Sequence, residues 1–258
     1  MKNWSREETI IAFNLYCKIA FKDSSKTHPL VVKYAELLGR SPSALNMKIG
    51  NIGRLDPDLK SQGIKGLVHG AKLEEEIWQE FCDNPDRLAF ESERLIAQLS
   101  QKSITENLNI DIDIDNLPQG LEREAVVKQR VSQSFFRSAV MSAYNHRCCI
   151  SGITLPSLLE ACHIVAWSDD KLNRTNPKNG LCMNSFFHKA YDKHLLGISP
   201  DMKIVISEKL RTASCEQSFA SYISNLNGKK ILLPDKFLPQ RELLAFRYDN
   251  FTKHQYDE

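Results

Sequence analysis

The sequence predicts an α+β protein: a mainly helical first domain over residues 1–95, a linker over 96–120, and a mixed second domain over 121–258 with a C-terminal extension. Three observations predict it. Capped segments with helical apolar spacing fill the first third. A polar stretch holding Asp111-Ile-Asp-Ile-Asp and the turn Pro118-Gln-Gly120 follows. Beyond it, a strand-like run (158–167, Leu-Leu-Glu-Ala-Cys-His-Ile-Val-Ala-Trp) leads to an Asn-Gly pair at 179–180. A helix-compatible stretch, Phe-His-Lys-Ala-Tyr-Asp, then occupies 187–192.

In the first domain, Ser5 with Glu8 three residues on forms a capping box, and Ile10, Phe13, Leu15, Tyr16 and Ile19 roughly keep helical spacing. Asp23 to His28 is a polar break. A second helix opens at Pro29 and ends at Gly39, where the left-handed conformation costs glycine little. Ser41 caps a third, whose first turn tolerates Pro42. Ala35, Gly39 and Leu45 stand where a helix-turn-helix needs a small residue, a turn glycine and a core residue. In that reading Ser43, Asn46 and Lys48 are the candidate DNA-facing residues; the alternative is a plain helical hairpin. Gly63 to Gly70 is glycine-spaced but lacks the Lys-Ser/Thr end and strand context of a phosphate-binding loop. Glu74 to Leu88 reads as one helix with Ile77, Trp78 and Phe81 on its core side.

The alternating carboxylates at 111–115 lack the rest of a calcium loop and read as solvated linker or edge strand. Leu121 to Tyr144 predicts a long helix carrying Arg123, Lys128, Arg130 and Arg137. Met202 to Ser207 predicts a strand, and 214–226 a helical piece. Pro234 and Pro239 punctuate a tail to which the sequence assigns no role.

Composition bounds the function. The chain of 258 residues is 42% hydrophobic and 26% charged, ordinary for a globular protein with one large or two modest cores. No apolar run approaches the ~20 residues of a membrane span, and the N-terminus lacks the apolar core of a signal peptide, so a cytoplasmic protein is expected. Seven cysteines without a Cys-x-x-Cys pair exclude a zinc ribbon and argue against a disulfide framework. Net charge is +2, yet residues 1–50 hold 8 Lys/Arg against 4 Asp/Glu, a local basic bias that suits phosphates.

The chemistry concentrates in His163, Asn179, His188 and Asp192. A metal-dependent phosphodiesterase needs one imidazole as base and two side chains facing a cation. His188 and Asp192, four apart, share a face if their segment is helical. Gly180 reads as a turn glycine. Arg174, Lys178 and Lys189 lie close in sequence and are candidate phosphate clamps. His194 reads as a surface residue, the alternative being an accessory ligand or phosphate contact.

The order His, Asn, His resembles the HNH endonucleases, the ββα-metal nucleases. So do the flanking segments, Phe-Phe-Arg…Ala-Tyr…Arg-Cys-Cys-Ile-Ser-Gly (135–152), Ala-Cys-His-Ile and Asn-Gly-Leu-Cys-Met. The resemblance runs from Phe135 to about Ser207. It implies a ββα-metal domain in which His163 is the general base and His188 and Asp192 bind the metal. Asn179 either ligates that metal or braces the loop that orients the base. Magnesium or manganese is the expected ion, with zinc or nickel as possible occupants, and the implied products carry 3′-hydroxyl and 5′-phosphate ends. Many relatives place Asp or His immediately before the base, whereas this chain has Cys162. The thiol is either packed in the strand, the favoured reading, or a ligand for a softer metal.

The expected partner is DNA, with a possible homodimer because double-strand cutting by a one-site nuclease calls for two copies. Restriction or antiphage defence is the context this arrangement suggests. The rivals are an inactive DNA-binding protein on the same fold, a nonspecific toxin nuclease, and cleavage of RNA.

Overall fold

A computed structural model describes residues 3–64, 71–108 and 123–256. The acidic alternation at 111–115, the turn at 118–120 and the glycines beyond Gly63 in the 63–70 loop lie outside the described residues. The chain divides into two compact units, Met1–Ala143 and Tyr144–Glu258.

The first unit contains helices α1 (Arg6–Lys18), α2 (Pro29–Leu37), α3 (Pro42–Gly53), α4 (Pro57–Ser61), α5 (Lys72–Phe81), α6 (Pro85–Ser100), α7 (Ile104–Asn107) and α8 (Arg123–Ala143). The capping box that opens α1 is formed: Glu8 N donates to Ser5 Oγ and Ser5 N donates to Glu8 Oε2. Ser41 Oγ accepts from Ala44 N to start α3, and Gly39 turns at φ +61°. α1 is the hub, packed against α3, α5, α6 and α8, with Ile10, Ile11, Phe13 and Leu15 fully buried. That central burial follows from a helix apolar on more than one face.

Four sequence expectations change here. The single helix over 74–88 is two helices, because Asn84 caps a new one, accepting from Arg87 N, with Pro85 in its first turn. α6 then continues to Ser100, into the stretch read as linker. The helix placed at the head of the second domain, α8, packs instead on α1 and α6, and Ser142 Oγ donates to the Cys17 carbonyl at 2.6 Å. Lys48 is not DNA-facing: it is buried, and its Nζ lies 2.8 Å from Glu74 Oε1. The reason is tertiary, since α5 sets an acid against it and a buried charge needs its counter-charge. Asn46 is half-buried and accepts from Ser24 Oγ, while Ser43 is exposed.

The second unit contains β1 (Leu159–His163), β2 (Gly180–Asn184), α9 (Ser185–Asp192), β3 (Leu196–Ile198), β4 (Ile204–Ile206), α10 (Glu208–Arg211), α11 (Gln217–Leu226) and α12 (Arg241–Tyr256). β1 and β2 are antiparallel, with Cys162 opposite Leu181 and His163 opposite Gly180. β3 and β4 form a second antiparallel pair. α9 packs on both β1 and β2, and α12 packs on β3. The α12–β3 approach is close: a Cβ on Gly197 would lie 2.7 Å from the Phe251 ring. α12 has no counterpart in the sequence expectations. Among the described residues no helix is long and apolar enough to cross a membrane.

Candidate active site

Strand alternation and a loop together present His163. His163 ends β1 half-buried, and its Nε2 lies 2.9 Å from the Arg174 carbonyl. A carbonyl only accepts, so Nε2 carries the hydrogen and the imidazole lone pair sits on Nδ1. Burial holds the His163 pKa below the ordinary histidine value; the Arg174 carbonyl and Asp192 oppose this, and His188 adds to it. The ring is therefore neutral at pH 7, the state a proton acceptor requires.

Asn179 holds the loop that carries Arg174. It is fully buried. Its Oδ1 accepts from Val165 N at 2.9 Å, and its Nδ2 donates to the carbonyls of Val165 and Asn173 at 3.1 and 3.2 Å. Its own carbonyl accepts from Ile164 N. These bonds occupy the side-chain amide, leaving it a brace between the end of β1 and the loop 173–179. Gly180 is not in a left-handed turn: its φ of −127° is extended, and it begins β2 directly after a short 3₁₀ turn over Pro177–Asn179.

α9 supplies the pair at i and i+4. Asn184 Oδ1 caps it by accepting from Phe187 N at 2.9 Å. Across the helix face His188 Nε2 lies 3.4 Å from Asp192 Oδ2. On its other side His188 Nδ1 lies 2.5 Å from Glu160 Oε2 on β1. With the Nδ1 hydrogen donated to Glu160, the ring turns Nε2 toward Asp192. A ring nitrogen and a carboxylate oxygen at that spacing can both ligate a cation, and a carboxylate behind a histidine is the usual support of a metal ligand. Cys162 joins the cluster: one ligand atom each from Cys162, His188 and Asp192 lie within 4.8 Å of one another. The thiol is buried and donates to the His163 carbonyl. Burial first, then the charge of Asp192, pushes its pKa well above the ordinary value. In this state Cys162 is a packed thiol within reach of His188 and Asp192.

His163, His188 and Asp192 line one cleft of about 330 Å³, together with Trp167 and Arg247. Arg174, Lys178 and Lys189 are not among the lining residues. Arg174 instead organises the loop, donating from Nε to the Trp167 carbonyl at 2.7 Å with its guanidinium 5.0 Å from that ring's centre. Lys189 is exposed on α9, and Lys178 is half-buried, its carbonyl accepting from Gln240 N. His194, expected at the surface, is half-buried and stacks on His254 with centroids 3.9 Å apart. Burial and the neighbouring Arg247 and His254 lower its pKa to about 4. Sequence reasoning missed Glu160 and Arg247. Glu160 lies three residues before His163 in the strand, but its pairing with His188 depends on how α9 folds over β1. Arg247 lies on a helix that the sequence reading did not identify.

Two antiparallel strands followed by a helix, with a neutral half-buried histidine facing a His–Asp pair, define a nuclease domain of the ββα-metal class. Residues 148–199 match the family model HNH_2, the HNH endonucleases, so this segment is an HNH endonuclease domain. No curated protein matches the chain at a significant level. The family match ends before α12 and does not reach the first unit.

Proposed function

We propose that this protein is a metal-dependent DNA endonuclease that hydrolyses phosphodiester bonds to 3′-hydroxyl and 5′-phosphate ends. The observation that carries this reading is the shared cleft, in which His163 faces His188 and Asp192 within a segment that matches the HNH endonucleases.

In this reading His163 Nδ1 takes the proton of the attacking water. The Arg174 carbonyl fixes the ring's tautomer and orientation, and Asn179 fixes the loop that holds that carbonyl. Asn179 is thus a positioning residue that does not touch the reacting atoms. His188 and Asp192 would hold a divalent metal, with Glu160 fixing the tautomer of His188. When bound, such an ion supplies Lewis-acid charge for the scissile phosphate and the leaving oxygen. Magnesium or manganese is the proposed working ion. Zinc or nickel suits the site if Cys162 joins as thiolate.

The first unit is proposed to select the DNA, with Ser43 at the exposed head of α3 and Asn46 beside it as contacts. Restriction or antiphage defence in the cytoplasm is the proposed role, with a homodimer for double-strand cutting. The test is cleavage of supercoiled plasmid, modified and unmodified, with magnesium, manganese or chelator. Metal-dependent nicking or linearisation that is lost in His163→Ala is expected. Tight DNA binding without cleavage under any metal would overturn the endonuclease reading in favour of an inactive DNA-binding protein.

A further inference from the structure

Among the described residues, the cation that lines the candidate cleft is Arg247, and it comes from outside the matched domain. Arg247 sits in the second turn of α12, whose residues 241–256 lie beyond the match over 148–199. It lines the same cleft as His163, His188 and Asp192. The lysines and the arginine that are neighbours of the site in sequence do not line it.

Arg247 is held in place rather than neutralised. One terminal nitrogen donates to the Tyr191 carbonyl at 2.5 Å, and the other lies 3.3 Å from His194 Nε2. The guanidinium packs 4.8 Å from the centre of the Tyr191 ring. Neither hydrogen-bond partner is a carboxylate: one is a backbone carbonyl and the other an imidazole. Among the described residues no carboxylate lies within ion-pair distance of Arg247. A half-buried guanidinium keeps its charge, and its fork has five N–H donors, more than these two contacts use. A fixed cation with spare donors in a cleft that also holds a proton acceptor and a His–Asp pair fits an anion with two adjacent oxygens.

We propose that Arg247 grips the non-bridging oxygens of a nucleic-acid phosphate in this cleft, so that α12 is part of the catalytic unit. The inference rests on the nuclease reading above. Arg247 then holds the phosphate between His163 and the His188–Asp192 pair, and its two fixed contacts preset the geometry before substrate arrives. Docking of α12 on β3 through Phe251 and Gly197 sets the height of the guanidinium over the cleft.

The experiment uses the full chain with Arg247→Gln, which stays polar but carries no charge, and Arg247→Lys, which keeps a charge without the fork. Cleavage of plasmid DNA is measured beside binding of a short DNA duplex in a His163→Ala background across a salt series. Thermal melting checks folding. The expected result for Arg247→Gln is a fall in kcat/KM of roughly 10- to 100-fold and a salt dependence shallower by about one ion released. Arg247→Lys should keep the salt slope and still lose kcat/KM. A merely structural role for Arg247 lowers the melting midpoint and leaves the salt slope unchanged, and that outcome overturns the proposal. If Arg247→Gln does not fold, a folded Arg247→Lys with wild-type kcat/KM overturns it equally. Wild-type protein that neither cuts nor binds DNA removes the nuclease reading itself. Cutting that depends on His163 but not on Arg247 removes only this inference.

Discussion

Glu160 on β1 accepts a hydrogen bond from Nδ1 of His188 on α9 at 2.5 Å, so the strand decides which imidazole nitrogen faces Asp192. Glu160→Gln keeps the shape and removes the charge behind the ring. Support of this kind typically contributes about 10- to 100-fold in metal affinity. Manganese binding by calorimetry should weaken by that order in Glu160→Gln, with the fold unchanged by circular dichroism. Equal affinity in the two proteins would detach Glu160 from the ligand set.

The pH profile should report His163. Burial lowers its pKa, so the neutral base persists below the ordinary histidine range and is lost only as pH falls through the lowered value. The acid limb of kcat/KM should therefore lie below about 6.5, the unperturbed histidine value. The stability sign is the same: the unfolded state binds the proton more readily, so this group favours folding above its unfolded pKa and the contribution fades under acid. An acid limb above 7 would point to another base.

Asn179→Ala should destabilise the second unit. It leaves the Val165 amide and two carbonyls without their partner in a buried loop. The cost is about 3 kcal/mol, read as a lower urea midpoint. Cleavage should fall as well, because the carbonyl that orients His163 belongs to the same loop. A variant with full stability and no activity would instead place Asn179 at the reacting atoms.

Lys48→Ala should cost stability without weakening DNA binding in the surviving folded fraction. Removing one partner of a buried pair strands the other charge, at about 3–5 kcal/mol. The double variant Lys48→Met with Glu74→Leu should recover much of that loss. DNA affinity that tracks Lys48 through a salt series would restore it as a contact.

Gly197→Ala forces a methyl against the Phe251 ring, where a Cβ would lie 2.7 Å away. Overpacking of this kind costs about 1–3 kcal/mol, and here it pushes on the helix that bears Arg247. Melting temperature and kcat/KM should fall together, and trimming the ring with Phe251→Leu in the same chain should restore part of both.

The sequence alone determined the features set by local chemistry. The Ser5–Glu8 and Ser41 caps, the Gly39 turn and the i, i+4 spacing of His188 and Asp192 follow from backbone periodicity and short-range hydrogen bonds, which neighbouring residues dictate. The matched HNH segment was legible for the same reason: its motif is nearly contiguous, with His163, Asn179 and His188 within 26 residues of one another. What needed the tertiary structure was every pairing between distant elements. Lys48 looked like a surface cation until α5 set Glu74 against it. The basic candidates Arg174, Lys178 and Lys189 proved to lie off the cleft, and Arg247 entered it from α12, far along the chain. Electrostatic partners are chosen by distance in space, and chain separation carries almost no information about that distance once elements pack.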